Sequence, residues 1–185
     1  MRRWAVGVLV AACSVAVARS ALAQVGLALL PPHEARVPAA ILSRDLALSV
    51  DSGARSAGAN SVDDLVAFAL ATTSAKLHFG LKHRTRLVFD GAEREGNCVE
   101  YAELFASVFN RERGGIDARA WVVRSDATLF GQHVGDPAWK DHDWVLVVAR
   151  TPDGGRRWLF VDPALYDFGL GWDISGAVRG AAGLP

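Results

Sequence analysis

The sequence predicts an α+β fold, and three observations carry that prediction. Residues 61–80 and 97–109 repeat apolar side chains at helical spacing, whereas residues 144–161 read as two strands about a tight turn. At 185 residues, with 51% hydrophobic and 22% charged, the chain has enough apolar surface for one compact core. Neither disorder nor an internal repeat is indicated.

Residues 1–23 read as an export signal. Met1-Arg2-Arg3 is a charged start, Trp4 to Ala18 is apolar, and Ala21-Leu22-Ala23 before Gln24 is a small-x-small cleavage site. Arg19 ends the run short of the roughly 20 apolar residues that a membrane span needs, so no stable span is expected after cleavage. An alternative is a lipoprotein site, Val10-Ala11-Ala12-Cys13, with Cys13 carrying the lipid. The expected location is periplasmic or secreted. The formal charge is zero, and loss of Arg2, Arg3 and Arg19 leaves 17 basic against 20 acidic residues, a net −3. That balance, with no basic cluster in the sequence, argues against nucleic acid or an anionic membrane as partner.

Residues 24–60 form an arm of uncertain structure, either packed over the domain or occluding a site. Pro31-Pro32 breaks any early element, residues 41–50 fit a short helix or strand, and 51–58 read as an exposed loop. The main domain is expected over residues 61–185. There Ser61 and Asp64 form a capping box, and Val62, Leu65, Val66, Ala69, Leu70 and Leu77 keep one helical face until Gly80. His83 lies in a basic stretch and reads as a surface residue. Leu87-Val88-Phe89 is a short apolar run before a polar loop.

Gly96 ends that loop, Asn97 suits a helix N-cap, and Glu100 stands three residues later as its capping-box partner. Cys98 therefore falls in the first turn of a helix, where unpaired backbone N–H groups and the positive end of the helix dipole favour a thiolate. The plain alternative is a small buried residue, because Cys98, Tyr101, Ala102, Phe105, Val108 and Phe109 also follow a buried helical stripe. Once the signal is cleaved, Cys98 is the lone cysteine, which excludes an internal disulfide and leaves burial, an intermolecular pair or reactivity.

Gly114-Gly115 gives the helix a stop, and residues 118–124 read as a strand around Trp121-Val122-Val123. The long loop expected over 125–141 contains His133 and Trp139. His133 and His142 match no compact ligand spacing, so neither a metal ligand set nor a cofactor is expected. Strands over 144–150 and 157–161 flank the turn signal Thr151-Pro152-Asp153-Gly154-Gly155. A turn centred on Asp153 sets Trp144 opposite Asp162 and makes His142 a diagonal neighbour, about 7–8 Å away at the backbone. An imidazole and a carboxylate can meet at that spacing. A primed sulfur with an imidazole oriented by a carboxylate is what thiol catalysis requires, which makes Cys98, His142 and Asp162 candidate catalytic residues.

The same residues resemble a known family. The blocks Gly96 to Arg119 with Cys98, Ala102, Phe105, Gly115 and Arg119, then His142-x-Trp144, then Trp158-x-x-Val161-Asp162-Pro163 resemble the transglutaminase-like superfamily across residues 61–167. The resemblance implies a papain-like α+β core in which the cysteine helix packs against an antiparallel sheet. It also implies a Cys-His-Asp triad on Cys98, His142 and Asp162. The chain departs from that pattern at Leu146, where many relatives carry an acidic residue, and lacks the extra domains of cross-linking enzymes. The expected function is exported thiol acyl transfer on amide or peptide bonds of a peptide or protein substrate, with hydrolysis preferred over amine transfer. Trp144 is a candidate substrate-binding residue, otherwise core. The alternative is an inactive binding or scaffold module with the same fold.

Overall fold

The computed structural model describes residues 26–80, 85–133, 141–180 and 184–185. The expected export signal, Cys13, His83 and Trp139 lie outside those residues. The fold is a mixed α+β arrangement of helices packed near a curled antiparallel sheet. The elements run β1 (Leu27–Leu29), β2 (Glu34–Arg36), β3 (Ile41–Leu42), α1 (Arg44–Ala57), α2 (Val62–Ser74), β4 (Leu77–Phe79), β5 (Val88–Phe89) and β6 (Arg94–Gly96). They continue with α3 (Cys98–Glu112), β7 (Ala118–Leu129), β8 (Gln132–His133), β9 (Asp141–Arg150), β10 (Arg156–Val161) and α4 (Pro163–Asp167).

The sheet follows the order β1-β7-β9-β10, with β2 and β8 also pairing β7. Its centre is β7, whose register with β9 runs from Ala118↔Ala149 to Asp126↔Asp141. Two short parallel pairs, β3 with β5 and β4 with β6, lie outside this sheet. One face of the sheet carries Val122, Val145, Val147 and Val161 into a core shared with Leu65, Leu70, Leu104, Phe105 and Phe109 of α2 and α3. The opposite face carries Val123, Trp144 and Leu146 into a second cluster, closed by Leu29, Ile174 and Ala177. This alternation is what period-two side-chain geometry demands of strands covered on both sides.

Local chemistry fixes the helix starts. Ser61 accepts the Asp64 N–H at 3.2 Å while Asp64 accepts the Ser61 N–H at 3.1 Å, so the expected capping box starts α2. Three expectations are corrected. Residues 51–58 are helix rather than loop up to Gly58, because Leu46, Ala47, Val50 and Ala54 form a buried stripe and the small polar residues between them face outward. Gly53 is part of the reason: a Cβ there would stand 3.1 Å from the Phe68 ring, so glycine permits α1 to approach α2. The helical face expected to reach Gly80 stops at Ser74, and Leu77 is buried instead in β4, paired with Arg94. The loop expected from residue 125 begins later, because β7 continues to Leu129 and turns at Phe130 and Gly131, with φ of 52° and 75°.

The arm also gains a definite place. β1 and β2 both extend the sheet beside β7, and α1 packs on α2 and α3. Among the described residues, no helix is long and apolar enough to cross a membrane.

Candidate active site

The first turn of α3 is held from both sides. Asn97 Oδ1 accepts the N–H groups of Val99 and Glu100 at 3.0 and 3.4 Å, and Glu100 Oε2 accepts the Asn97 N–H at 3.0 Å. The other oxygen of Glu100 accepts from the Arg86 N–H at 2.9 Å and from Arg94 Nη2 at 3.3 Å, fastening the preceding loop to the helix. A Cβ on Gly96 would meet Leu77 at 3.1 Å and Glu100 at 3.3 Å, so glycine lets the strand enter the helix this closely without displacing either side chain. Cys98 is thereby the first residue of α3, a free and partly exposed thiol. Its own N–H is not taken by the cap.

His142 and Asp162 come from the ends of neighbouring strands. β9 and β10 pair from Arg156↔Arg150 to Val161↔Val145, so continuing the register by one residue sets Asp162 opposite Trp144, as the turn signal predicts. His142 stands two residues further along β9, and its Nε2 lies 2.6 Å from Asp162 Oδ2. The carboxylate is wholly buried and cannot swing away. Its Oδ1 accepts the N–H groups of Ala164 and Leu165 at 3.0 Å each, because Asp162 is also the N-cap of α4, and its N–H donates to the Trp172 carbonyl at 2.8 Å. One oxygen is thus committed to the backbone and the other to the ring.

Cys98 also acts on the same ring, as one of the groups that raise the His142 pKa. Nε2 is the ring nitrogen turned to Asp162. Burial is the largest single influence on the His142 pKa and pulls it down. The charge and hydrogen bond of Asp162, followed by those of Cys98, together outweigh burial and leave the imidazole well above its ordinary value of 6.5. The ring is thereby biased toward its charged form, with the Asp162 carboxylate against Nε2.

Trp144 does not line a cleft. Its side chain is 0% exposed, packs beside Leu146 and Phe160, and donates from Nε1 to Ser125 Oγ at 3.0 Å, so it supports the sheet from the second apolar cluster. The substrate-binding expectation for Trp144 is corrected on that ground. His133 sits exposed on β8, paired with Thr128, and does not join His142 in a ligand group. The His33, Asp126 and Asp141 side chains do approach one another, their ligand atoms lying within 4.8 Å, on the surface.

Two groups of supporting residues escape the sequence reading. Asp167 of α4 accepts from the Tyr101 hydroxyl at 2.6 Å and from the Ser74 hydroxyl, joining α4 to α3 and α2. Beneath the start of β9, Asp143 accepts from Arg124 Nε at 2.6 Å and Arg36 Nη2 at 2.9 Å, and Arg36 also reaches Glu103 at 3.1 Å. A signal existed for the second group: Glu103 is a carboxylate within an otherwise apolar helical stripe, which has no place in a core unless a cation meets it.

No family model, no characterised protein and no solved structure matches the chain. The geometry of the site therefore carries the functional reading.

Proposed function

We propose that the chain is a thiol acyl-transfer enzyme acting on amide or peptide bonds, with hydrolysis as the favoured outcome. The observation that carries this reading is the His142 ring, held 2.6 Å from the buried Asp162 carboxylate, with Cys98 among the groups that raise its pKa. A surface histidine has no need of a buried carboxylate partner.

In the proposed cycle, the Cys98 thiolate attacks the substrate carbonyl carbon while protonated His142 stands by. Collapse of the tetrahedral adduct breaks the C–N bond, and His142 passes its proton to the departing amine. Neutral His142 then takes a proton from water as the water oxygen attacks the thioester carbonyl, and collapse of this second adduct breaks the C–S bond, releasing the acid and restoring the Cys98 thiolate beside protonated His142. Asp162 keeps Nε2–H pointed at itself and offsets the charge on the ring throughout. The Cys98 N–H, at a helix start and outside the cap, suits the oxyanion that forms in both halves. The architecture assigned with this chemistry is papain-like and transglutaminase-like, with a thiol-bearing helix start facing a sheet that supplies histidine and carboxylate. An exported location is part of the same proposal, since an oxidising compartment retains a lone thiol most readily where its reactivity is used.

The test is alkylation of Cys98 by iodoacetamide near neutral pH. The wild-type rate should exceed that of a free thiol by about tenfold or more, and His142→Ala should remove most of that excess. Ordinary rates in the wild type would leave a binding or scaffold module as the better account. Glutamine-containing peptides, with and without an added amine, then separate hydrolysis from transfer.

A further inference from the structure

Folding gathers basic residues from separate elements at the far end of α3. Arg113 follows that helix, Arg119 is the second residue of β7, Arg150 ends β9 and Arg156 opens β10; the four line a cavity of about 350 Å³. Asp117 is the one acidic side chain among the described residues of its wall, so basic side chains outnumber acidic ones four to one. A second cavity, of about 520 Å³, shares Arg113 and Arg119, adds Arg111, and sets Val37, Pro38, Ala40 and Leu42 beside them. The shared arginines join the two cavities into one groove, and aliphatic side chains stand next to the basic ones.

Three of the four guanidinium groups have a contact of their own. Arg113 donates to the Ala118 carbonyl at 2.9 Å, Arg150 pairs with Asp117 at 3.0 Å, and Arg119 lies 4.5 Å from the centre of the Trp121 ring. Each such contact leaves several of the five guanidinium N–H donors unused. Like charges gathered in one cavity are relieved by an anion. A carboxylate suits this planar fork geometry. The aliphatic wall beside the arginines selects further: a polymer charged at every unit leaves Val37, Pro38, Ala40 and Leu42 unused, whereas a peptide can present glutamate or aspartate to the arginines and an aliphatic side chain to that wall.

We propose that this groove binds an acidic, partly apolar peptide segment of the substrate, a substrate assignment that rests on the enzymatic reading above. Fifteen residues of α3 at 1.5 Å each separate Cys98 from the groove, about 22 Å, which an extended peptide covers in about seven residues. The acidic segment therefore lies at least that far from the bond that is cut.

The experiment is fluorescence anisotropy of a labelled glutamate- and leucine-containing peptide with the full chain. Its glutamine counterpart, inorganic phosphate and a single-stranded DNA oligonucleotide serve as competitors. The glutamate peptide should bind at least about tenfold more tightly than the glutamine peptide, and raised salt should weaken it. Combined Arg119→Glu and Arg156→Glu should abolish that preference, and the milder Arg156→Gln should reduce it if the double variant melts early. Equal binding of the two peptides, or a preference that survives charge reversal in folded protein, overturns the proposal. So does an oligonucleotide or phosphate that displaces the peptide more tightly than the peptide itself binds. Anisotropy needs no turnover. Fast Cys98 alkylation without peptide selection would sink the groove alone, and peptide selection with ordinary alkylation would sink the catalytic reading alone.

Discussion

At the scale of single residues, the site depends on one carboxylate doing two things at once. Asp162 caps α4 with Oδ1 and holds His142 with Oδ2, so Asp162→Asn can keep the cap through its side-chain oxygen while losing the charge beside the ring. The linkage has a definite sign. The folded pKa of His142 is raised above the ordinary 6.5, so the stability it contributes is fully present below that value and is lost as pH rises through the folded pKa. Unfolding by urea should therefore find Asp162→Asn less stable than wild type by about 1.5–3 kcal/mol at pH 6, the worth of a hydrogen bond to a charged group. The gap should narrow as the pH is raised. A gap that stays constant or widens with rising pH would mean that the imidazole is not charged in the folded protein.

Among the elements, α3 and α4 share the work of placing the site. The sulfur sits at the first position of α3 and Tyr101 one turn later on the same helix, where its hydroxyl donates to Asp167 at 2.6 Å. Burial first, and then the Asp167 carboxylate, raise the tyrosine pKa far above its usual value, so this hydroxyl stays a donor. Since α4 begins at the Asp162 cap, the tether sets the distance between the helix that carries sulfur and the turn that carries the carboxylate. Tyr101→Phe keeps the ring and removes the donor. It should cost about 1–2 kcal/mol in chemical denaturation and slow Cys98 alkylation by a few fold, because the His142–Asp162 pair loses its fixed position relative to sulfur. Destabilisation with an unchanged alkylation rate would reduce the tether to a purely structural bond. The capping boxes and the hairpin were legible because each is written within a few residues: Ser61 with Asp64, Asn97 with Glu100, and a turn whose centre sets the strand register. The second half of α1 was not, because its glycine is explained only by Phe68 on another helix. Nor was the full length of β7, whose polar residues are satisfied by neighbouring strands, as Ser125 is by Trp144.

Across the whole molecule, the arm and the sheet are joined to α3 by a buried charge network that local sequence cannot reveal, since Arg36 and Asp143 lie 107 positions apart. Glu103 is wholly buried on α3. Its Oε1 accepts from Arg36 and its Oε2 from the N–H groups of Ala39 and Ala40 at 2.6 and 3.2 Å, which fixes the chain just after β2. Arg36 in turn shares Asp143 with Arg124, and Asp143 adjoins His142 at the start of β9. The arm is thus fastened to the helix that carries the sulfur and to the strand that carries the imidazole. Glu103→Gln removes one of the carboxylates that hold Arg36, while Asp143 remains, so it should lose about 1–3 kcal/mol in urea denaturation. Arg36→Met in the Glu103→Gln background should lose less than the sum of the two single losses by about 1 kcal/mol, because the Arg36–Glu103 pair is then already broken. Additive losses from the two substitutions would mean that the arm is held by the backbone bonds to Glu103 and not by the ion pair.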